Sequence, residues 1–240
     1  MTGKNFTIER EIVVNATPEQ VFSAITDGQA GWLFPGGGLP VDGTPDESGA
    51  RYLAYEPGKH LHSMMGSPDD GWFNSLEHII TADDGGTTTV RYVHSGIFTD
   101  DWDTQFDGAD KHTDFYLHSF GQYVEHFHGR PITYVDAPGT EASQYPGSVD
   151  KLRAALGLTA TSEVGDEVAF EVPGLGAVTG QVDYLLGQFT GIRTADSLLR
   201  FYAREPWGMP VAAAHHLFAA DADEETATRS WNAWLNGIYA

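Results

Sequence analysis

The chain has 240 residues, with 34 Asp and Glu against 13 Lys and Arg, so its formal net charge is −21 with histidine neutral. This charge argues against nucleic acid and anionic membrane surfaces as partners, because both are recognised through basic patches. The chain contains no cysteine, which excludes disulfides, zinc–thiolate sites and thiol catalysis. Hydrophobic residues make up 41% of the chain, enough for a real core and against global disorder.

The beginning of the sequence lacks the features of a secretory signal. Residues 1–14 show neither a basic region followed by an apolar stretch nor a small-residue cleavage site. Elsewhere, no window approaches the roughly 18 consecutive apolar residues of a membrane helix. We therefore predict a cytoplasmic protein without a membrane span.

The first elements are a strand and a short helix. Apolar and polar residues alternate over 6–14, which predicts a half-buried strand. Thr17 and Gln20 have the spacing of a capping box, and Pro18 suits the first helical position, so a helix is predicted from there to about Asp27. The segment 31–49 is rich in Gly and Pro and is predicted to be irregular.

An antiparallel meander and a long helix are predicted next. Four strand-like runs joined by turn sequences occupy 50–56, 59–65, 72–82 and 87–97. An acidic loop is predicted over 99–110, followed by a helix from about Lys111 to His128. Aromatic residues recur at helical spacing in that helix, as expected of a stripe that faces the sheet.

The second half repeats this order of elements. Residues 131–147 carry several Pro and Gly and are predicted to be a linker. A short helix, strand-like runs, an acidic turn and a final amphipathic helix follow within 148–240. No clear counterpart of the first strand and its capped helix is evident, so this half is predicted to be a truncated copy. The predicted domains are thus 1–130 and 148–240, in an α+β fold.

The segment 8–26, IEREIVVNATPEQVFSAIT, together with the meander and the aromatic helix, resembles the START-related SRPBCC superfamily. Within it, the chain looks most similar to domains like the C-terminal part of heat-shock-protein-90 ATPase activators. The resemblance covers about Asn5 to Gly129. It implies a helix-grip fold, in which a curved antiparallel sheet wraps a long C-terminal helix and leaves an apolar cavity. The extra half, from about Tyr145 to Ala240, departs from a single such domain.

The resemblance implies three roles for the cavity. Members bind lipids, hormones or polyketides, cyclise or aromatise polyketides, or contact chaperones. The first expectation here is binding of a small apolar or aromatic ligand without a cofactor. A cyclase- or aromatase-like enzyme on the same cavity is the alternative, and a chaperone-associated interaction module is a further one. Fold alone does not decide among them.

Candidate site residues follow from the predicted concave face. Tyr92 and His94 alternate along one strand, and they are the candidates for a hydroxyl donor and a general acid or base. The remaining candidates are mostly aromatic or histidine side chains expected to contact the ligand: Trp32, Phe34, His60, His62, Trp72, His78, Tyr116, Phe120, Tyr123 and Phe127.

A metal site was the competing interpretation for two of these histidines. His60 and His62 are two residues apart on a predicted strand, so both face the same way, and His78 or His94 could supply a third ligand. No acidic residue stands at a diagnostic spacing from them, and the prediction is therefore no metal. The acidic segment 100–110 likewise lacks the glycine and the final glutamate of a calcium loop.

Overall fold

The computed structural model describes residues 3–240, and the chain divides into two compact units. Unit 1 consists of the residues up to Gln29 together with Pro35–His128. Unit 2 consists of Ala30–Phe34 and Gly129–Ala240. Each unit has its own antiparallel sheet and its own helices.

Unit 1 is a five-stranded antiparallel sheet with two helices. Its elements are, in chain order, β1 (Lys4–Val14), α1 (Pro18–Ile25), β2 (Arg51–Glu56), β3 (His60–Ser67), β4 (Trp72–Ala82), β5 (Thr88–Phe98) and α2 (Trp102–His126). The strand order is β1-β5-β4-β3-β2, so the first strand pairs with the last and the others form a meander. The helix α2 contacts β1 and α1. This is the order of a helix-grip domain, and the α+β fold class predicted from the sequence is confirmed.

Local sequence explains where α1 begins. The Thr17 side chain accepts a hydrogen bond from the backbone N–H of Gln20, and the Gln20 side chain accepts one from the backbone N–H of Thr17. Both bonds of the capping box are therefore present, with Pro18 at the first helical position. The helix buries Val21 and Phe22 on its apolar face.

Unit 2 contains a six-stranded antiparallel sheet and two helices. Its elements are β6 (Thr133–Pro138), α3 (Ser148–Ala155), β7 (Glu167–Val172), β8 (Gly176–Leu186), β9 (Phe189–Arg193), β10 (Ser197–Tyr202), β11 (Ala212–Leu217) and α4 (Glu224–Ile238). The order β6-β11-β10-β9-β8-β7 again pairs the first strand with the last. The helix α4 contacts β6, β7 and β11, and it buries Trp231 and Leu235 in the core of this unit.

Two boundaries differ from those predicted. The segment 131–147 is not a linker throughout, because β6 lies within it and pairs with β11 over its full length. Val135 and Ala137 alternate with exposed neighbours and are buried in the core, and Pro138 falls at the end of the strand. With β6 and α3 present, unit 2 has both a first strand and a following short helix, so it is not truncated there.

The structure of the acidic segment 99–110 also differs from the one predicted. The sequence predicted a loop over 99–110, whereas α2 already begins at Trp102. Asp110 and Asp114 of this helix accept hydrogen bonds from Arg10 of β1, at 2.7 and 2.6 Å. Acidic residues in the first turns of a helix are also favourable beside its positive end. At the helix start itself, Trp102 donates from Nε1 to the backbone carbonyl of Asn5 of β1 at 3.2 Å. Contacts with the sheet therefore stabilise a helix that the composition disfavours.

A buried ion pair lies within the sheet of unit 2. Arg200 of β10 donates to both carboxylate oxygens of Asp183 of β8, at 2.9 and 2.8 Å. The side chains are 0% and 5% exposed, respectively. Gly191 of β9 lies between them, where a side chain would come within 2.7 Å of both groups. This bidentate pair of hydrogen bonds from the guanidinium group satisfies the carboxylate without solvent.

Within residues 3–240, no helix combines the length and the apolar character needed to cross a bilayer.

Candidate functional site

The two faces of the unit 1 sheet can be told apart from strand register. Tyr92 of β5 lies opposite Arg10 of β1, and Arg10 reaches the carboxylates of α2. The face that carries Arg10 and Tyr92 is therefore the one directed towards α2, and we call it the inner face. The opposite face is the outer face.

Three polar side chains form a cluster on the inner face. His78 of β4 pairs directly with Tyr92, and His94 follows Tyr92 by two residues on β5. The ring centroids of His78 and Tyr92 are 5.1 Å apart, and those of Tyr92 and His94 are 6.5 Å apart. We call these three residues the inner polar cluster. Two of them are the predicted catalytic candidates, and the third is a predicted ligand contact.

Around the cluster the inner face is largely apolar. Leu61 lies opposite His78 on β3, and Ile80 and Val90 form the next pair along the sheet. All three are buried. Leu76, opposite His94, is only half-buried. The cluster is therefore set among hydrophobic side chains, with some accessible surface beside it.

His78 is the most unusual member. It is 7% exposed, and neither ring nitrogen has a hydrogen-bond partner within the described residues. Burial lowers the pKa of His78 to about 4, so the ring is neutral near pH 7. A neutral imidazole presents one N–H donor and one acceptor nitrogen, and both are left unsatisfied here.

His94 has one partner on the sheet. Its Nε2 lies 2.7 Å from Oδ1 of Asn74, an acceptor, which places the ring proton on Nε2 and leaves Nδ1 as an acceptor. Burial lowers the pKa of His94 to about 4, although the side chain remains partly accessible to solvent. Its ring also packs edge-on against Phe6 of β1, with the ring centroids 4.9 Å apart.

Tyr92 is the donor of the cluster. Burial raises the pKa of its phenol, and the neighbouring Tyr116 of α2 adds to the effect, so the hydroxyl stays protonated. The nearby Thr113 of α2 partly offsets this rise in the pKa of Tyr92. Tyr116, one of the aromatic residues predicted to contact a ligand, is thus close to the cluster.

The other aromatic candidates are placed elsewhere. Phe120 and Tyr123 of α2 are buried, as is Phe127 directly after the helix. The Tyr123 hydroxyl lies against Gly28, just after α1. Trp72, at the start of β4, is 38% exposed, and its ring lies over Gly66.

Trp32 and Phe34 belong to unit 2 and not to the unit that carries the inner polar cluster. Trp32 is buried, whereas Phe34 is 55% exposed. In the same short segment, the backbone carbonyl of Ala30 accepts a hydrogen bond from His216 of β11 at 2.7 Å, a contact that the local sequence does not reveal.

His60 and His62 lie on the outer face. They pair with Ile79 and Glu77 of β4, whereas the intervening Leu61 pairs with His78 of the inner face. His60 Nε2 is 2.8 Å from Oε1 of Glu77, and His62 Nδ1 is 3.9 Å from the same oxygen. The ligand atoms of these three side chains all lie within 4.8 Å of one another. Glu77 was not among the residues predicted from the sequence. It lies on the same face of β4 as Ser75 and Ile79, because these residues are two positions apart along the strand.

Unit 2 contains a cavity of about 580 Å³ between its sheet and the first turns of α4. Leu199, Leu217 and Trp231 contribute apolar lining. Asp196 and Asp221 are among the polar residues at its edge. Its volume is in the range of small-molecule sites.

Comparisons with known proteins find similarity of structure only. No family model matches the chain, and no curated protein matches it. Among solved structures, the Aha1 dimer from Colwellia psychrerythraea is 20% identical with a TM-score of 0.39, covering 50% of this chain and 96% of that one. DynU16, a putative protein of the dynemicin biosynthetic locus, is 12% identical with a TM-score of 0.40 and covers 97% and 95%. CalU16 from Micromonospora echinospora is 17% identical with a TM-score of 0.36, covering 52% and 84%.

All three are less than 25% identical to this chain, so any assignment of function has to come from the contacts of its own residues.

Proposed function

We propose that unit 1 binds a small, largely apolar molecule that carries one neutral polar group, between the inner face of its sheet and α2. The observation that carries the proposal is His78, a buried side chain with two unpartnered ring nitrogens. A buried polar group without a partner costs about 1 to 3 kcal/mol, so a ligand that pairs with it gains affinity.

The charge state of the inner polar cluster restricts the polar group. His78 and His94 are neutral near pH 7 because burial lowers their pKa values to about 4, and Tyr92 stays protonated. The cluster therefore offers donors and acceptors without a net charge. A neutral group such as a hydroxyl or a carbonyl fits this environment better than a carboxylate or an ammonium group, since an ion would be desolvated without a counter-ion.

The lowered pKa of His94 favours a binding role over proton transfer. A general base works best when its pKa is near the working pH, and the pKa of His94 lies about three units below neutrality. As an isolated base it would be weak. Catalysis with His94 and Tyr92 remains the second candidate because their rings are 6.5 Å apart and His94 Nδ1 is an acceptor.

Titration with a neutral fluorescent probe tests the proposal. N-phenyl-1-naphthylamine is apolar, carries one N–H group and brightens in apolar surroundings. We expect saturable one-to-one binding to the full chain. Leu76→Trp places a bulky ring on the inner face beside His94 and should weaken binding at least tenfold.

A matched tryptophan variant controls for the second cavity. Thr179→Trp introduces the same side chain at the edge of the cavity in unit 2 and should leave probe affinity unchanged. If Thr179→Trp abolishes binding and Leu76→Trp does not, the site is in unit 2 and the proposal is wrong. Turnover of a bound compound that is lost in His94→Ala would favour the catalytic alternative.

A further inference from the structure

The outer face of the unit 1 sheet carries a cluster of three metal-ligating side chains, separate from the inner polar cluster. We propose that His60, His62 and Glu77 bind a divalent ion of the zinc class. Such an ion is bound by imidazole nitrogen and carboxylate oxygen, and two histidines with one glutamate form a known ligand set for it.

Strand geometry brings the three ligands together. His60 and His62 are two residues apart on β3, so they share a face, and Glu77 lies directly opposite His62 on β4. Both ligands on β3 and the one on β4 are therefore held by paired strands, which limits their movement. Sites on regular elements are more precise than sites on loops.

The distances suit tetrahedral coordination. With zinc bonds of about 2.0 to 2.1 Å, two ligand atoms of a tetrahedral site are about 3.3 Å apart. The two separations from Glu77 Oε1, 2.8 Å to His60 Nε2 and 3.9 Å to His62 Nδ1, lie on either side of that value. The ligand nitrogens of the two histidines lie within 4.8 Å of each other, so rotation of the side chains has to bring all three atoms onto one ion.

Ser75 orients one of the ligands. His62 Nε2 is 2.7 Å from Oγ of Ser75, a buried residue two positions before Glu77 on β4. When His62 donates from Nε2, its Nδ1 keeps a lone pair directed at the Glu77 side of the cluster. A hydrogen bond from the second ring nitrogen is the usual outer support of a metal-bound histidine.

Accessibility and charge also favour a cation. The three side chains are 25 to 28% exposed, so an ion can reach them and a water molecule can complete the coordination. The chain as a whole is strongly acidic, with a net charge of −21, and attracts cations.

Calorimetric titration of the full chain with Zn²⁺ tests the site. We expect one-to-one binding that is weakened at least tenfold in Glu77→Gln and in His62→Ala. Ser75→Ala keeps all three ligands and should still weaken binding by about tenfold or more, because it removes the support of His62. Mg²⁺ should not bind there, since it prefers oxygen ligands.

His126→Ala is the matched control, because it removes an exposed histidine at the end of α2 in the same unit. Its affinity for Zn²⁺ should equal that of the unchanged chain. Zinc binding that survives in the double variant His60→Ala and Glu77→Gln, or that is lost in His126→Ala, would overturn the proposal. Absence of zinc binding to the unchanged chain would overturn it as well. Because the two sites lie on opposite faces, probe binding at the inner face is tested independently.

Discussion

Replacing His78 with phenylalanine should change how the stability of the protein depends on pH. The folded state lowers the pKa of His78 from 6.5 to about 4, because the charged ring would be buried among apolar side chains. The unfolded chain therefore takes up this proton first as the pH falls. Stability is fully present above pH 6.5 and is lost progressively as the pH falls from 6.5 towards 4.

The magnitude follows from those two pKa values. Between pH 7.5 and pH 5, proton uptake by the unfolded chain at this one residue lowers the free energy of unfolding by about 2 kcal/mol, and the full loss below pH 4 is about 3.4 kcal/mol. His78→Phe removes the titrating group while keeping a ring beside Tyr92. The variant should therefore lose about 2 kcal/mol less than the unchanged chain over the same interval.

Urea titrations at pH 7.5, 6.5, 5.5 and 5 measure this difference. The other buried histidines, including His215 and His216, titrate in both proteins and cancel in the comparison. If His78→Phe and the unchanged chain lose stability in parallel as the pH falls, His78 is not buried in the neutral form and the reasoning fails.

Three further variants test the packing and the helix start. Arg200→Met leaves the Asp183 carboxylate buried without a partner and should lower the free energy of unfolding by about 3 to 5 kcal/mol, most of which should return in the double variant with Asp183→Leu; no recovery would contradict the cause given. Gly191→Ala crowds both charged groups of that pair and should lower stability by about 1 to 3 kcal/mol in the same denaturation assay, whereas a neutral effect would mean that the pair can shift aside. Thr17→Ala removes one bond of the capping box with Gln20 and should lower stability by about 1 kcal/mol, and an unchanged melting temperature would show that the cap contributes nothing.

The local patterns predicted the local structure well. The alternation of apolar and polar residues predicted β1, turn sequences between strand-like runs predicted the meander, and the spacing of Thr17 and Gln20 predicted the start of α1. Each of these patterns depends only on residues a few positions away. The first turns of α2 were missed because Asp and Gly are poor helix formers, and because the contacts of this segment with Asn5 and Arg10 come from a strand about 100 residues earlier. The strand β6 was missed because its partner, β11, is similarly distant.

The candidate site was predicted only in part, for a related reason. Period-two spacing shows that His60 and His62 share a face, but which face they share depends on cross-strand register. Leu61 pairs with His78, so its two neighbours point away from the inner face. The same register places Glu77 beside the two histidines, a grouping that no spacing within one segment could indicate.

The central claim is that a small molecule contacts His78 on the inner face of unit 1. Histidine-selective ¹⁵N NMR during titration with N-phenyl-1-naphthylamine tests it most directly, with the His78 resonances assigned from the His78→Phe variant. We expect the ring nitrogens of His78 to shift as the probe saturates, while those of His60 and His62 on the outer face stay unchanged. Saturable probe fluorescence with unchanged His78 resonances would contradict the claim.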